Sequence, residues 1–236
     1  HCLNNIAVQA YTHGRWEEAL VCYREATQIF RRTGDTASEG NAAYNQAELL
    51  VRQGRCAEAG ELLDEVLVIA RAVEDDELVA LAMREQARVV AASGDAAGAV
   101  GLLHEARQMF EQLDEPDERV ATDVVLAEVL LDADRVGDCT EVLGTLPDDL
   151  DSEALPGVAP RVRRLRGRTH AAHGRSDEAV AELLAGLRLA QRDDDRYEQA
   201  LLLRELVGLG VHDAGVRDGL GTYTEILASL GVISSA

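Results

Sequence analysis

The side chains best equipped for chemistry in this sequence are arginines at recurring positions. Arg84, Arg164 and Arg204 differ in number by multiples of 40, as do Arg88 and Arg168, and Arg161 lies just ahead of Arg164. A guanidinium is a planar fork that pairs two-on-two with carboxylate or phosphate, so arginines in register point to recognition of an anionic group rather than to bond making. All 23 cationic residues are Arg, and the absence of Lys removes a phosphate-loop lysine, a Schiff-base lysine and a lysine general base together.

Other reactive side chains form no constellation. His170 and His173, in "HAAH", are a close pair, but His173 shares a recurring turn position with His13, Gln53 and Ser93 and reads as a turn residue. Cys2, Cys22, Cys56 and Cys139 are scattered, without C-x-x-C or zinc-like spacing to His, as small apolar residues of a reducing compartment would be. The clusters "EDDE", "DEPDE" and "DDDR" lack the alternating carboxylates and central Gly of a calcium loop and read as solvated turns. No G-x-S-x-G, H-E-x-x-H or Gly-rich phosphate loop is present. The expectation is a chain that is not an enzyme and holds no cofactor and no metal.

Charge narrows the partners. A formal net charge of −20 repels nucleic acid and anionic membranes at long range, so neither is expected. No apolar run approaches the roughly 18 residues of a membrane span and no signal peptide is visible, so the expected location is cytoplasmic. The chain opens with "HCLNNIAVQA", already periodic and without an initiator Met, which reads as a fragment whose N-terminal neighbour has been removed.

The elements that position these residues follow from a repeat. "HGRWEEAL" at 13–20 returns as "QGRCAEAG" at 53–60, "SGDAAGAV" at 93–100, "ADRVGDCT" at 133–140 and "HGRSDEAV" at 173–180, with Ala214 at the sixth step. Ala19, Ala59, Ala99, Cys139, Ala179 and Gly219 form a small column after the turn, and Ala7, Ala47, Ala87, Ala127, Gly167 and Val207 form another, mostly small, before it. Tyr23, Leu63, Leu103, Leu143, Leu183 and Tyr223 form a large apolar column. Small residues on both sides of a turn let two helices approach closely, and the large column fills the groove between hairpins. With 47% hydrophobic residues, only 3% aromatic and four Pro, the fold class is all-α, packed through Ala and Leu.

This pattern resembles the tetratricopeptide repeat (TPR), which implies a right-handed α-solenoid, here of about six antiparallel hairpins. The nominal TPR has about 34 residues, so about six are extra, and they fall at the end of each second helix. HEAT and armadillo units have similar periods and are the competing reading. The expected organisation is repeats one to four over 1–146, an acidic proline-rich connection over 147–160, and repeats five and six with a capping helix and frayed end over 161–236, all in one continuous superhelix.

The resemblance also implies which first-helix positions face the concave groove. One column holds Asn4, Tyr44, Arg84, Val124, Arg164 and Arg204; the next turn holds Val8, Glu48, Arg88, Glu128, Arg168 and Gly208, with Arg161 one turn earlier. Asn4, Tyr44, Glu48, Arg84, Arg88, Arg161, Arg164, Arg168 and Arg204 are therefore the candidate partner-binding residues, with Tyr11 and Leu81 as further apolar contacts. Chaperone-binding TPR domains clamp a C-terminal carboxylate with cations and Asn on these faces. Arg84 and Arg88 match such a pair and Asn4 is compatible, but the first repeat has no cation at either place. The alternative is that the arginines neutralise Glu and Asp of neighbouring helices. Arg163 and Arg166, where apolar packing is wanted, leave room for a shift of register.

"LNNIAVQAYTHGRWEEALVCYREATQIFRRTGD" and the repeat after it look like the C-terminal TPR regions of large actinobacterial signalling proteins, either nucleotide cyclases with a STAND or AAA-type ATPase or ATP-binding LuxR-type regulators. That resemblance implies a regulatory arm that binds a protein or peptide partner, acidic where it meets the arginines, and acts on an ATPase or effector domain missing from this chain. A stand-alone peptide or chaperone-tail receptor and a self-associating scaffold are the alternatives.

Overall fold

The computed structural model describes residues 2–147, 150, 157–211 and 219–233. Among the described residues there are twelve helices and no strand: α1 (Cys2–Thr12), α2 (Trp16–Thr33), α3 (Thr36–Arg52), α4 (Cys56–Ala72), α5 (Asp76–Ala92), α6 (Ala96–Gln112), α7 (Pro116–Asp132), α8 (Val136–Gly144), α9 (Val158–Ala172), α10 (Ser176–Arg192), α11 (Arg196–Gly208) and α12 (Gly219–Ser229).

The turns explain the period. Gly14, Gly34, Gly54, Glu74, Gly94, Asp114, Asp134, Gly174 and Asp194 all have positive φ, between 53° and 93°, and they are evenly spaced at half the sequence repeat or a multiple of it. In each turn the next N–H reaches back five residues to a carbonyl of the outgoing helix, as from Arg15 to Ala10 at 2.8 Å and from Arg55 to Leu50 at 2.9 Å. This Schellman arrangement satisfies carbonyls that the helix end leaves without partners. Helices α3 to α7 and α10 are each 17 residues long. A helix of that length with a three-residue turn makes half the repeat, and two such steps make the whole. The extra length relative to the nominal TPR is therefore shared by both helices of a hairpin, not confined to the second as expected, because both turns are equally tight.

The turns start the next helix in two ways. Asp35, Asp75, Asp95 and Asp195 cap theirs, each accepting the N–H three residues on, at 3.2, 2.9, 2.8 and 3.0 Å. At Arg15, Arg55, Arg135 and Arg175 the cap position is Arg, a poor choice beside the positive end of a helix dipole. Arg15, Arg55 and Arg135 each compensate by pairing with the acid three residues on, Glu18, Glu58 and Asp138.

The chain divides into two compact units, one of His1–Thr122 with Leu230–Ala236 and one of Asp123–Ser229, the boundary falling inside α7. In the first unit each of α1 to α5 packs on the next and α3 also packs on α5. Its core joins Tyr44, Ala47, Leu63, Val66, Met83 and Phe110. In the second unit α9 packs on α8, α10 and α11, and α11 on α12, around Leu183, Leu187, Leu202 and Leu206.

The columns behave as their sizes demand. Ala7, Ala47, Ala87, Ala127, Ala19, Ala59, Ala99, Cys139 and Ala179 are all 0% exposed, and Tyr23, Leu63, Leu103, Leu143 and Leu183 are all buried. At Gly167 the approach is closest, since a Cβ there would lie 2.7 Å from Leu183 Cγ.

The connection expected at 147–160 lies largely outside the described residues, as does Ala214. Its last residues belong to a helix: Val158–Pro160 form the first turn of α9, where Pro is tolerated because first-turn N–H groups have no intrahelical acceptor. The last three residues, expected to fray, lie outside the described residues, and those just before them are held. Leu230 is buried, and Ile233 donates its N–H to the Gln53 carbonyl at 2.8 Å.

Candidate functional site

The predicted column falls on equivalent positions of the odd-numbered helices: Asn4 on α1, Tyr44 on α3, Arg84 on α5, Arg164 on α9 and Arg204 on α11. The side chain of Asn4 lies outside the described residues. Arg84 and Arg164, each set among small and apolar neighbours of a tightly packed helix, are buried, and both use their forks within the protein.

In the first unit Arg84 Nη1 donates to Glu118 Oε2 of α7 at 2.6 Å, with Thr122 Oγ1 at 3.5 Å. Its guanidinium lies 5.7 Å from the centroid of the Phe110 ring, a cation–π distance. Glu85, itself buried, lies 3.8 Å from Arg84 and 3.5 Å from Arg88. Burial pulls the Arg84 guanidinium down, but Tyr44, Glu85 and Glu118 outweigh it and hold it above its ordinary value. Tyr44 is buried against this cluster. Burial, aided by Glu48, drives its phenol well above the usual range, although Arg84 opposes. Glu48 pairs with Arg52 at 3.1 Å.

In the second unit the network is denser. Arg164 Nε donates to Glu198 Oε1 at 2.5 Å and Arg164 Nη2 to Glu128 Oε1 at 2.7 Å. Glu128 also accepts from Arg161 at 3.3 Å, so one carboxylate joins two arginines. Arg168 pairs with Asp132 at 2.7 Å and approaches Glu205 at 3.7 Å, and Glu205 lies 3.4 Å from Arg204. Burial pulls Arg164 down, yet Glu198 and Glu128 more than restore it and hold it well above its ordinary value.

Exposure sorts the set. The side chains of Arg84 and Arg164 are 10% and 2% exposed, against 24% for Arg88, 23% for Arg168, 16% for Arg161 and 50% for Arg204. The two inner arginines are therefore internal cross-links between helices of successive hairpins, while Arg88 in the first unit and Arg161, Arg168 and Arg204 in the second reach solvent to differing extents. The inner partners were missed in the sequence, but their signal is there. Glu118 follows Arg84 at the same separation at which Glu198 follows Arg164, one relation repeated two periods later.

Among the described residues no group of three or more His, Cys, Asp and Glu is placed to hold a metal ion, and no helix is long and apolar enough to cross a membrane. His170 and His173 sit at the end of α9, where His173 Nδ1 lies 2.8 Å from the Thr169 carbonyl as a turn residue's would.

Residues 38–112, running through α3 to α6, match the family model of the tetratricopeptide repeat. Among solved structures, the chain is similar to a Rap protein complexed with Competence and Sporulation Factor, at 15% identity and a TM-score of 0.68, over 96% of this chain and 64% of that one. It is also similar to the apo form of RapI, at 14% identity and 0.67, over 95% and 82% of the two chains. A third likeness is to BtubC (BKLC) from P. vanneervenii, at 14% identity and 0.59, over 94% of each. The chain thus spans less than two thirds of the length of that first Rap protein. No curated protein matches it in sequence. At such identities the likeness is one of fold, and it bears out the TPR-like solenoid read from the sequence period.

Proposed function

We propose that this chain is a non-enzymatic protein-interaction module that takes a protein or peptide segment against its odd-numbered helices. The observation that carries the proposal lies in the second unit, where buried Arg164 braces the helices while Arg168 and Arg204 beside it are partly exposed. Arg84, Arg164 and Tyr44 supply rigidity. Arg88, Arg161, Arg168 and Arg204, with Glu48 and Asn4, supply contacts. Their present ion pairs are partly solvated and individually weak, of order 1 kcal/mol or less, so an acidic partner exchanges with them at little cost. The Rap protein complexed with Competence and Sporulation Factor lends support as a similar fold that holds a partner.

In the fuller form of this proposal the chain is the regulatory arm of a larger cytoplasmic signalling protein. A bound segment bridges several repeats, and the resulting change in their packing is passed to an ATPase or effector domain. That context rests on the sequence resemblance alone. The test is a titration of acidic and neutral peptides against the chain and an Arg168→Ala/Arg204→Ala variant at low and high salt. Binding of acidic peptides that weakens with salt and falls at least about tenfold in the variant is expected. Equal binding of neutral peptides, or an unaffected variant, overturns these arginines as the site.

A further inference from the structure

Gln53 occupies a turn position of which three counterparts are open and the fourth, Ala133, is half-buried. His13, Ser93 and His173 are exposed at the same place in their turns, whereas Gln53 is 0% exposed. What covers it is the chain's own Leu230–Ile233, which belong to the first unit. Gln53 Nε2 donates to the Leu230 carbonyl at 2.8 Å, and the Gln53 carbonyl accepts the Ile233 N–H, also at 2.8 Å. The same amide donates to Glu17 Oε1 at 3.0 Å, and its Oε1 accepts from Arg55 Nη1 at 3.3 Å. One residue thus bridges the first carbonyl and the last N–H of a four-residue turn, with its own amide held in place from behind.

The fit selects the segment. Gly231 has φ +71°, the left-handed region that favours glycine, and a Cβ there would lie 2.7 Å from Gln53 Nε2 and 2.8 Å from Glu17 Oε1, so both side chains would have to shift. Gly54 matches it from the other side, a Cβ there lying 3.1 Å from the Ile233 carbonyl. Leu230 is 1% exposed, but Ile233 is 60% exposed, so the contact is anchored at one end and open at the other.

We propose that Leu230–Ile233 form a displaceable strap, and that the turn built by Glu17, Gln53, Gly54 and Arg55 is its docking site. The site reads a large apolar residue, a glycine directly after it and a backbone N–H two residues beyond the glycine. It is independent of the arginines proposed above as contacts, since it uses the turn between α3 and α4 and none of those residues.

Amide hydrogen exchange on the full chain tests this. The Ile233 amide, which donates to the Gln53 carbonyl, exchanges about tenfold more slowly than an unprotected amide of the same local sequence, as expected for one net hydrogen bond. Gly231→Val brings it to the unprotected rate with helical circular dichroism unchanged, and an excess of a synthetic peptide of residues 226–236 accelerates it saturably by displacing the strap. Gln53→Ala, which removes the side-chain bond to the Leu230 carbonyl, serves as the second variant and accelerates the same amide. An Ile233 amide that exchanges at the unprotected rate in the parent chain, no change in either variant, or a peptide without effect overturns the proposal.

Discussion

Arg164 and Glu198 are both 2% exposed and meet at 2.5 Å across most of a repeat of chain, and Arg84 meets Glu118 at 2.6 Å across the same separation two repeats earlier. A charge as deep as that of Arg164 has no water to fall back on, so each partner is held by the other. Removing one leaves the other buried and uncompensated. Arg164→Ala is expected to cost about 3–5 kcal/mol, while the exposed Arg204→Ala stays within about 0.5 kcal/mol. Urea unfolding of the two variants checks this, and equal effects would mean that the Arg164 network is not the brace described.

The turn residues predict a gain as well as a loss. Glu74 has φ 57°, a left-handed conformation that a side chain with a long stem does not favour. Glu74→Gly is expected to stabilise by about 1 kcal/mol, because it relieves that strain at a position with no contact role. Gly94→Ala, at φ 93° with open space around it, is expected to cost about 1–2 kcal/mol by conformation alone. Thermal melts of both variants should move in opposite directions.

At Gly167 the cost is steric. Any Cβ meets Leu183 Cγ and the Ala179 carbonyl, at 2.7 and 3.2 Å, so Gly167→Ala is expected to destabilise by about 1–3 kcal/mol despite its better helix propensity. Pairing it with Leu183→Ala should recover part of that loss if the clash is the cause, and a double-mutant cycle measures the recovery.

Alkaline titration reports on the cores. The Tyr23 phenol is pushed from 10.0 up to about 12 by burial, then by Glu48 and Cys22, and Tyr44 is raised further by burial. A raised phenol pKa means the folded state keeps its proton where the unfolded chain has lost it. Stability from Tyr23 is therefore complete below pH 10 and is lost as pH rises through about 12, while that from Tyr44 persists to higher pH. Tyr23→Phe should flatten that decline, read as unfolding free energy against pH.

Much of this architecture was legible because small residues are conspicuous when they recur. Ala19, Ala59 and Ala99 share a period with Gly14, Gly54 and Gly94, and side-chain size is the quantity on which helix approach depends. The finer step, half as long, was hidden. Its alternate turns place Gly34, Glu74, Asp114 and Asp194 in the same backbone conformation, and composition does not mark Glu or Asp as left-handed. At the candidate site, position was legible for Arg84 and Arg164 but depth was not. Burial there depends on Glu118 and Glu198, which lie most of a repeat away. The docked Leu230–Ile233 were also missed, since nothing local to Gln53 distinguishes it from His13 or Ser93.

The uniform spacing of 17-residue helices and three-residue turns has a consequence for changes in chain length. Loss of a single helix with its turn would leave every remaining helix intact and capped, yet downstream it would exchange odd for even. The buried arginines downstream would be carried to the opposite layer, away from their carboxylates. Length in this architecture is therefore a parity: a hairpin added or removed returns each side chain to its own layer, and a lone helix does not.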